Sequence, residues 1–181
     1  MPRLRLAAPL LLALALTAHS LAAQAAPPGF REEWLRQFNN SSYKLVELAQ
    51  AIPDDKFNWA PGEGVMPVGQ VYGHIARYNY YYPATGLGVA APAGTDLEGM
   101  EQIRDKAQLV ELLRASARHV RETVQRMPEA ELAAATRLYD RDTTRWSVLL
   151  QLLAHMNEHL GQSIAYARMN GVVPPWSRGN Q

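Results

Sequence analysis

The chain contains no cysteine in its 181 residues. This absence excludes disulfides, zinc–thiolate sites and cysteine nucleophiles, so a bound metal would need histidine, carboxylate, carbonyl or water ligands. An excess of charge is also absent, because 18 basic and 17 acidic residues give a formal net charge of +1. A near-neutral chain lacks the basic surface that nucleic acids require. We therefore expect no nucleic-acid partner.

Long hydrophobic runs are scarce, and the clearest one occupies residues 10–16. Two arginines precede this run, and the small residues Ala23 and Ala25 follow it at the positions that a signal peptidase recognises. The run is shorter than the ~20 apolar residues of a membrane-spanning helix. The pattern predicts that residues 1–25 form a signal peptide cleaved after Ala25. We expect a secreted or periplasmic protein with no membrane span in its mature chain.

Four segments of the remaining chain carry apolar residues at helical spacing. The predicted helices cover residues 30–51, 68–82, 103–127 and a last segment from Thr143 or Thr144 to about Asn170. Either threonine can cap the last helix, Gly171 suits the position after its end, and two prolines follow shortly afterwards. Strand signals are weak. The pattern predicts an all-α fold, a four-helix bundle that forms a single domain over residues 26–181.

The connections between the predicted helices are rich in proline and glycine. Residues 53–67 form a loop in which Trp59 is the expected apolar anchor to the core. Residues 83–99 form a second long loop that could rim a pocket. Pro128 begins a third connection, which contains one short helical turn through Leu132.

Three histidines, His74, His155 and His159, are the candidate site residues. His155 and His159 are four residues apart, so a helix places both imidazoles on one face, about one turn from each other. Such a pair can share a divalent metal that a third ligand from another helix completes. All three adjoin mostly apolar stripes, and side chains facing the interior of a bundle often build metal sites. The alternative is that each histidine is a half-buried, hydrogen-bonded residue without a metal.

The segment from His155 to His159 also matches H-x-x-E-H, the zinc-binding signature of the inverted metallopeptidases. That site takes a further glutamate ligand downstream, whereas no acidic residue follows Glu158 in this chain. Glu158 also lies roughly 100° from His159 around a helix. We therefore predict that the chain is not a metallopeptidase, that Glu158 is a surface or orienting residue, and that a third ligand comes from upstream.

Two further side chains are candidates for the surface. His119 lies among Arg118, Arg121 and Glu122, which favours a solvated face without a metal role. Arg145 begins the last predicted helix, where it could meet an anionic substrate. A solvated face is the simpler interpretation of that arginine as well.

Phrases along the whole domain resemble those of one family. They are residues 45–49, 52–64, 68–76 and 155–162, followed by Tyr166, Arg168, Gly171 and the Pro174-Pro175 tail. In order and spacing the chain resembles a DinB-like protein of the DinB/YfiT superfamily of four-helix bundles. The resemblance implies one divalent metal, commonly zinc or nickel, held by the family's three histidines, which map onto His74, His155 and His159. It also implies that a homodimer is common.

The resemblance leaves the function open. The best-defined relatives are thiol-dependent transferases and isomerases that use cytosolic thiols, a setting from which an exported chain without cysteine departs. The first hypothesis is therefore a metal-dependent hydrolase or transferase acting on a small molecule. Arg77, Tyr78 and Tyr81 could shape its pocket, and packing in the core is an equal alternative for the two tyrosines. Three neutral imidazoles preserve the charge of a metal, so water at the site could act as a nucleophile.

Two alternatives come from other classes of protein. One is a non-catalytic bundle that holds a metal or a small ligand. The other is an interaction bundle with an empty site that dimerises through an exposed Trp176 tail or the first helix. A general base would favour catalysis, but spacing alone does not place the acids Glu47, Glu63 and Glu158, so the catalytic residues are unknown.

Overall fold

The computed structural model describes residues 25–179. The predicted signal peptide lies outside the described residues, its last residue excepted. Within that range the elements are α1 (Phe30–Ala51), α2 (Val68–Tyr82), α3 (Lys106–Arg126), α4 (Glu129–Leu132), β1 (Ala135–Leu138), β2 (Arg141–Thr144) and α5 (Arg145–Met169). The four long helices, α1, α2, α3 and α5, confirm the predicted all-α bundle. The bounds of α1 and α2 are those that the apolar spacing predicts.

The long helices form a ring in which α1 and α2 each pack against α3 and α5. Bonds from Trp34 to Leu149 and from Ser41 to Asn157 make α1 and α5 parallel. Helices α2 and α3 are also parallel, because Gly69 lies against Leu109 near their starts and Asn79 donates to Ser116 farther along both. Parallel neighbours need a connection that returns along the bundle. The segment 83–105 is that connection, and it brings the residues just before α3 beside the first half of α2.

The start of α3 corrects the sequence prediction. We expected the helix to begin at Ile103, but Gly99–Gln102 forms a separate 3-10 turn and α3 begins at Lys106. Asp105 caps α3, because its side chain accepts a hydrogen bond from the Gln108 amide at 2.7 Å. Aspartate is among the preferred residues at this position. The predicted end signals of α5 are confirmed, with Thr144 before its first residue and Gly171 left-handed (φ 74°) after its end.

The β1–β2 hairpin was not expected from the weak strand signals. Its strands are antiparallel, with Leu138 opposite Arg141, and the two turn residues Tyr139 and Asp140 have φ of 50° and 59°. Two positive φ values are typical of a type I′ turn, which usually contains Asn-Gly. The sequence signal is therefore missing, because neither turn residue is glycine or asparagine and the strands have four residues each. The loop predicted from residue 83 also begins differently, with a π-helical turn over Pro83–Leu87.

The core lies between the four long helices and extends beneath the connections. Trp34 stacks on Phe38 with ring centroids 4.9 Å apart, and both are almost fully buried. Trp59 packs edge-on against Tyr166 at 5.4 Å, which confirms it as the anchor of its loop. Trp176 was expected to be exposed, but it is half-buried against this core, with Lys44 over its ring. The tail therefore packs on α1 and covers an apolar surface there.

Two surface predictions are also corrected. His119 is half-buried, its ring lies 5.1 Å from that of Tyr80, and its Nε2 atom is buried without a hydrogen-bond partner among the described residues. Burial lowers the pKa of His119. His119 is covered through tertiary contacts, because Leu87 of the connection 83–105 lines the same surface cavity as His119. Arg145 is also half-buried and forms an ion pair with Glu131, so its charge is already matched.

Gly86 provides a test of how the connection 83–105 packs on α5. A Cβ atom at Gly86 would lie 2.6 and 2.9 Å from the two Cγ atoms of Val148, which is fully buried. Because both methyl groups are too close, rotation of Val148 gives no relief. We expect Gly86→Ala to lower the free energy of unfolding by about 1–3 kcal/mol. In urea unfolding, the double variant with Val148→Ala should lose less than the sum of the single variants. Additive losses would contradict this contact.

No helix in residues 25–179 combines the length and the apolar character needed to cross a bilayer.

Candidate metal centre

Helices α2 and α5 are antiparallel and bring the three predicted histidines together. His74 comes from α2, while His155 and His159 come from successive turns of α5. One ring nitrogen from each lies within 4.8 Å of the others, so the three side chains could hold a metal ion. All three are half-buried. The site therefore lies at the seam between two helices and not in the dry centre of the bundle.

The distances fit a shared ion. The Nε2 atoms of His74 and His155 are 3.1 Å apart. Two nitrogens that each lie about 2.0–2.1 Å from one zinc ion are separated by about 3 Å. The ring of His159 is 4.8 Å from that of His74 and 4.6 Å from that of His155, centroid to centroid. His74 and His155 thus have the spacing of two ligands of one ion, and His159 lies close enough to be a third.

Hydrogen bonds on the far side of two rings select the tautomer that a metal needs. His74 donates from Nδ1 to Glu101 Oε1 at 2.9 Å, since an ionised carboxylate can only accept. His159 donates from Nδ1 to Gln162 Oε1 at 2.7 Å, and Gln162 in turn donates to the Tyr166 hydroxyl. With the proton on Nδ1, Nε2 keeps its lone pair, and that of His74 faces His155. Outer partners of this kind orient the histidine ligands of metal sites.

The electrostatics keep these groups in the required charge states. Burial, with the neighbouring His159 and His74, lowers the pKa of His155 to about 3. Burial is also the main cause that lowers the pKa of His159. Burial by itself raises the pKa of Glu101, but its hydrogen bonds with His74, Gln70 and Arg77 outweigh that effect and lower it. The imidazoles of His155 and His159 are therefore neutral near neutral pH, and the Glu101 carboxylate is ionised.

Glu101 is the important residue that the sequence analysis missed. It reaches His74 because α2 and α3 are parallel, so that the turn before α3 crosses the first half of α2. Gly73 permits the crossing: a Cβ atom there would collide with the Met100 carbonyl and come within 3.2 Å of the Glu101 Cα. A glycine inside a predicted helix, next to a candidate ligand, was the available signal. It indicates a close approach but does not name the approaching residue.

The other predicted acids have different positions. Glu63 and Glu158 are exposed, and Glu47 is half-buried. In the described part of the chain, none of them forms a hydrogen bond or ion pair with the three histidines. Glu158 is therefore a surface residue, one of the two predicted possibilities. Glu101 contacts the far nitrogen of His74, so its position is that of an orienting group.

Aromatic side chains from α2 cover the histidine rings. The ring of Tyr78 is 4.6 Å from that of His74 and 4.4 Å from that of His155. Tyr82 meets His155 edge-on at 5.8 Å. Tyr81 contacts Tyr78, so it belongs to the outer part of this wall. The predicted third member, Arg77, pairs with Glu101 at 3.1 Å, which neutralises its charge beside the site.

The Glu101 carboxylate supplies a test of the orienting role. Glu101→Ala should weaken divalent-metal affinity by about 10–100-fold, because His74 loses the partner that holds its tautomer and ring orientation. Glu101→Gln should lose less, since an amide oxygen still accepts from Nδ1. Competition against a chromophoric chelator measures both. Glu98→Ala, an exposed acid of the same segment, is the matched control. Equal affinity in Glu101→Ala and wild type would exclude the role.

The chain is similar to known proteins in both sequence and fold. The sequence profile of the DinB superfamily matches residues 37–163, well over half of the chain. The structure is similar to that of a DinB-like protein from Bacillus cereus ATCC 10987, with a TM-score of 0.71 and 17% identity, covering 80% of this chain and 95% of that one. It is also similar to the DinB-like protein YjoA from Bacillus subtilis, with a TM-score of 0.62 and 19% identity, covering 78% and 93%.

No curated protein matches the chain. At these identities the solved structures establish the fold alone, whereas the sequence profile establishes the family. The helical bundle agrees with that assignment. The chain belongs to the DinB superfamily.

Proposed function

We propose that this protein is an exported metalloenzyme that binds one divalent ion, zinc or nickel, through His74, His155 and His159. Its reaction is the hydrolysis of a small molecule or the transfer of a group to one. The convergence of the three ring nitrogens carries the proposal, with two of the far nitrogens held by Glu101 and Gln162.

The donor set suits this chemistry. A divalent ion held by three neutral nitrogens keeps its charge and supplies a Lewis acid for a substrate oxygen or for water. Other residues of the chain position the candidate ligands. Glu101 and Gln162 orient His74 and His159, and Tyr78 covers the rings of His74 and His155. The half-buried seam leaves the site accessible to a small substrate.

Hydrolysis is the reaction that we favour within this class. Water is available in every compartment, whereas transfer to a thiol needs an imported thiol, because the chain has no cysteine. The half-buried rings of Tyr78 and Tyr81, packed on Tyr82, favour substrates with an apolar or planar part beside the reacting group.

A non-catalytic metal-binding bundle is the second candidate, and one observation favours it. Glu101, the acid in hydrogen-bond contact with the histidine group, is engaged by both His74 and Arg77. It is therefore not free to accept a proton from water. A binder needs only the three ligands and their orienting partners.

A substrate screen distinguishes the two candidates. Untagged protein loaded with zinc or nickel would be assayed on aryl esters, amides and thiol conjugates, beside chelator-treated protein and His155→Ala. We expect metal-dependent turnover of one ester or amide class that His155→Ala abolishes. Metal binding without turnover of any class would favour the binder. Turnover that persists after chelation and in the variant would refute a role of the site.

Export and assembly are tested on the protein recovered from its producing cell. Intact-mass analysis should find a chain that begins at Ala26, because cleavage after Ala25 removes residues 1–25. Light scattering of the same material should give the mass of the homodimer that membership of the family suggests. A cytosolic chain with its first 25 residues intact would refute export without touching the metal proposal.

A further inference from the structure

The tip of the β1–β2 hairpin adopts an unusual backbone conformation for its residue types. Tyr139 and Asp140 both have positive φ, 50° and 59°. A bulky side chain with positive φ is an outlier that the surrounding structure must impose. Asparagine followed by glycine would take the same turn without strain. A tyrosine at this tip therefore calls for a reason outside the hairpin.

The hydroxyl group of Tyr139 supplies such a reason. Although the Tyr139 side chain is largely exposed, its hydroxyl oxygen lies 2.6 Å from that of Tyr82, a residue of α2 that is fully buried. The two rings meet edge-on at 6.2 Å. Thr136 secures the same hairpin by donating to the Gly86 carbonyl at 2.8 Å. The strained tip thus closes over the buried tyrosine and supplies its hydroxyl with a partner.

Tyr82 leads from the hairpin to the metal centre. Its ring packs edge-on against His155 at 5.8 Å and against Tyr78 at 5.3 Å, and Tyr78 itself lies on the His155 ring. His155 differs from the other two histidines, because no hydrogen bond to its Nδ1 atom occurs within residues 25–179. Apart from the contact of its Nε2 atom with that of His74, contacts of the tyrosine rings therefore hold the orientation of His155, where Glu101 and Gln162 hold the others.

We infer that Tyr139 is a positioning residue of the metal centre: by bonding to the Tyr82 hydroxyl it holds the aromatic wall that orients His155. This inference rests on the proposed function of the three histidines. It assigns the hairpin a role at the site, and it explains why a residue that disfavours the turn occupies its tip. Strain in the turn and the hydroxyl contact to Tyr82 should therefore be separable by substitution.

Three variants separate these effects. Tyr139→Phe removes the hydroxyl and keeps the ring, while Tyr139→Asn also relieves the backbone. We expect both to release zinc to a chelator about tenfold faster than wild type, the lower end of the range for outer partners of metal ligands. Tyr139→Asn should nevertheless unfold at a higher temperature than Tyr139→Phe, because both lack the hydroxyl but the turn of Tyr139→Asn is less strained. Asp140→Gly relieves the neighbouring residue without touching the hydroxyl pair, so its zinc release should equal that of wild type.

The result in Tyr139→Phe is decisive. Release at the wild-type rate from this variant overturns the inference, and so does faster release from Asp140→Gly, since that would trace the effect to the turn itself. A metal-free measurement separates this inference from the proposed function. In the apo protein labelled at its histidines, Tyr139→Phe should shift or broaden the ring resonances of His155 and leave those of His159 unchanged. Unchanged His155 resonances refute the inference even if the wild type binds zinc.

Discussion

Replacing His74, His155 or His159 with alanine is expected to remove about one equivalent of divalent metal from the purified protein. Each imidazole supplies one of three convergent nitrogens, and the two left in a variant form a much weaker chelate. Elemental analysis of untagged protein from its native compartment measures the loss. A polyhistidine tag would carry metal of its own and obscure it. Metal retained at the wild-type level in one variant would remove that histidine as an essential ligand.

Thermal unfolding gives the same experiment a second measurement. A ligand that binds only the folded state at 100 times its Kd stabilises that state by about 2.7 kcal/mol. Zinc or nickel should therefore raise the Tm of the wild type and leave that of the three variants unchanged. His119→Ala is the matched control, because His119 lies on α3 and packs against Tyr80, away from the three histidines. It should keep both the metal and the rise in Tm.

Gly73→Ala is expected to damage the fold and the site together. The new Cβ atom would collide with the Met100 carbonyl oxygen and lie 3.0 Å from the Met100 carbonyl carbon. These are backbone atoms, so no change of rotamer relieves the contact and the turn must move. Overpacking of this kind costs about 1–3 kcal/mol of unfolding free energy. The displaced turn carries Glu101, so metal affinity should also fall by about 10–100-fold.

Gly161→Ala is the control for the Gly73 prediction. Gly161 also lies inside a long helix, but its side is exposed and open space surrounds the position of a Cβ atom. Alanine is favoured over glycine in a helix by about 0.8–1.0 kcal/mol, so this variant should be slightly more stable than wild type. Urea unfolding and chelator competition apply to both variants. A Gly73→Ala protein with wild-type stability and affinity would show that the turn does not press against α2 at this point.

The positions of the helices could be predicted because their signals are local. Apolar residues three and four apart mark the face that a helix buries, and they place α1 and α2 at their observed bounds. Thr144 and Gly171 mark the ends of α5 for equally local reasons. The predicted start of α3 was wrong. Ile103 fits the apolar spacing of the helix, but Asp105 is the residue that caps it. The hydrogen bond of the Asp105 cap sets the start of the helix, whereas Ile103 packs against the core without being helical.

The three histidines could also be identified as candidates from the sequence, but on arguments of different strength. The spacing of His155 and His159 follows from one helical turn, whereas the pairing with His74 came from resemblance to a family. Their common point of convergence depends on the antiparallel packing of α2 against α5. No periodicity along the chain encodes that packing.

Sequence alone thus determined which segments are helical, which faces they bury and that His155 and His159 share one helix face, because each depends on neighbours within a turn or two. Tertiary structure decided the partners of those histidines. Glu101 reaches His74 through a connection that must return between parallel helices, and Tyr139 reaches Tyr82 through a hairpin without the usual turn residues. His119 and Trp176 are covered by segments distant in sequence. Contacts between remote segments follow from how whole faces pack, which no short pattern of residues specifies.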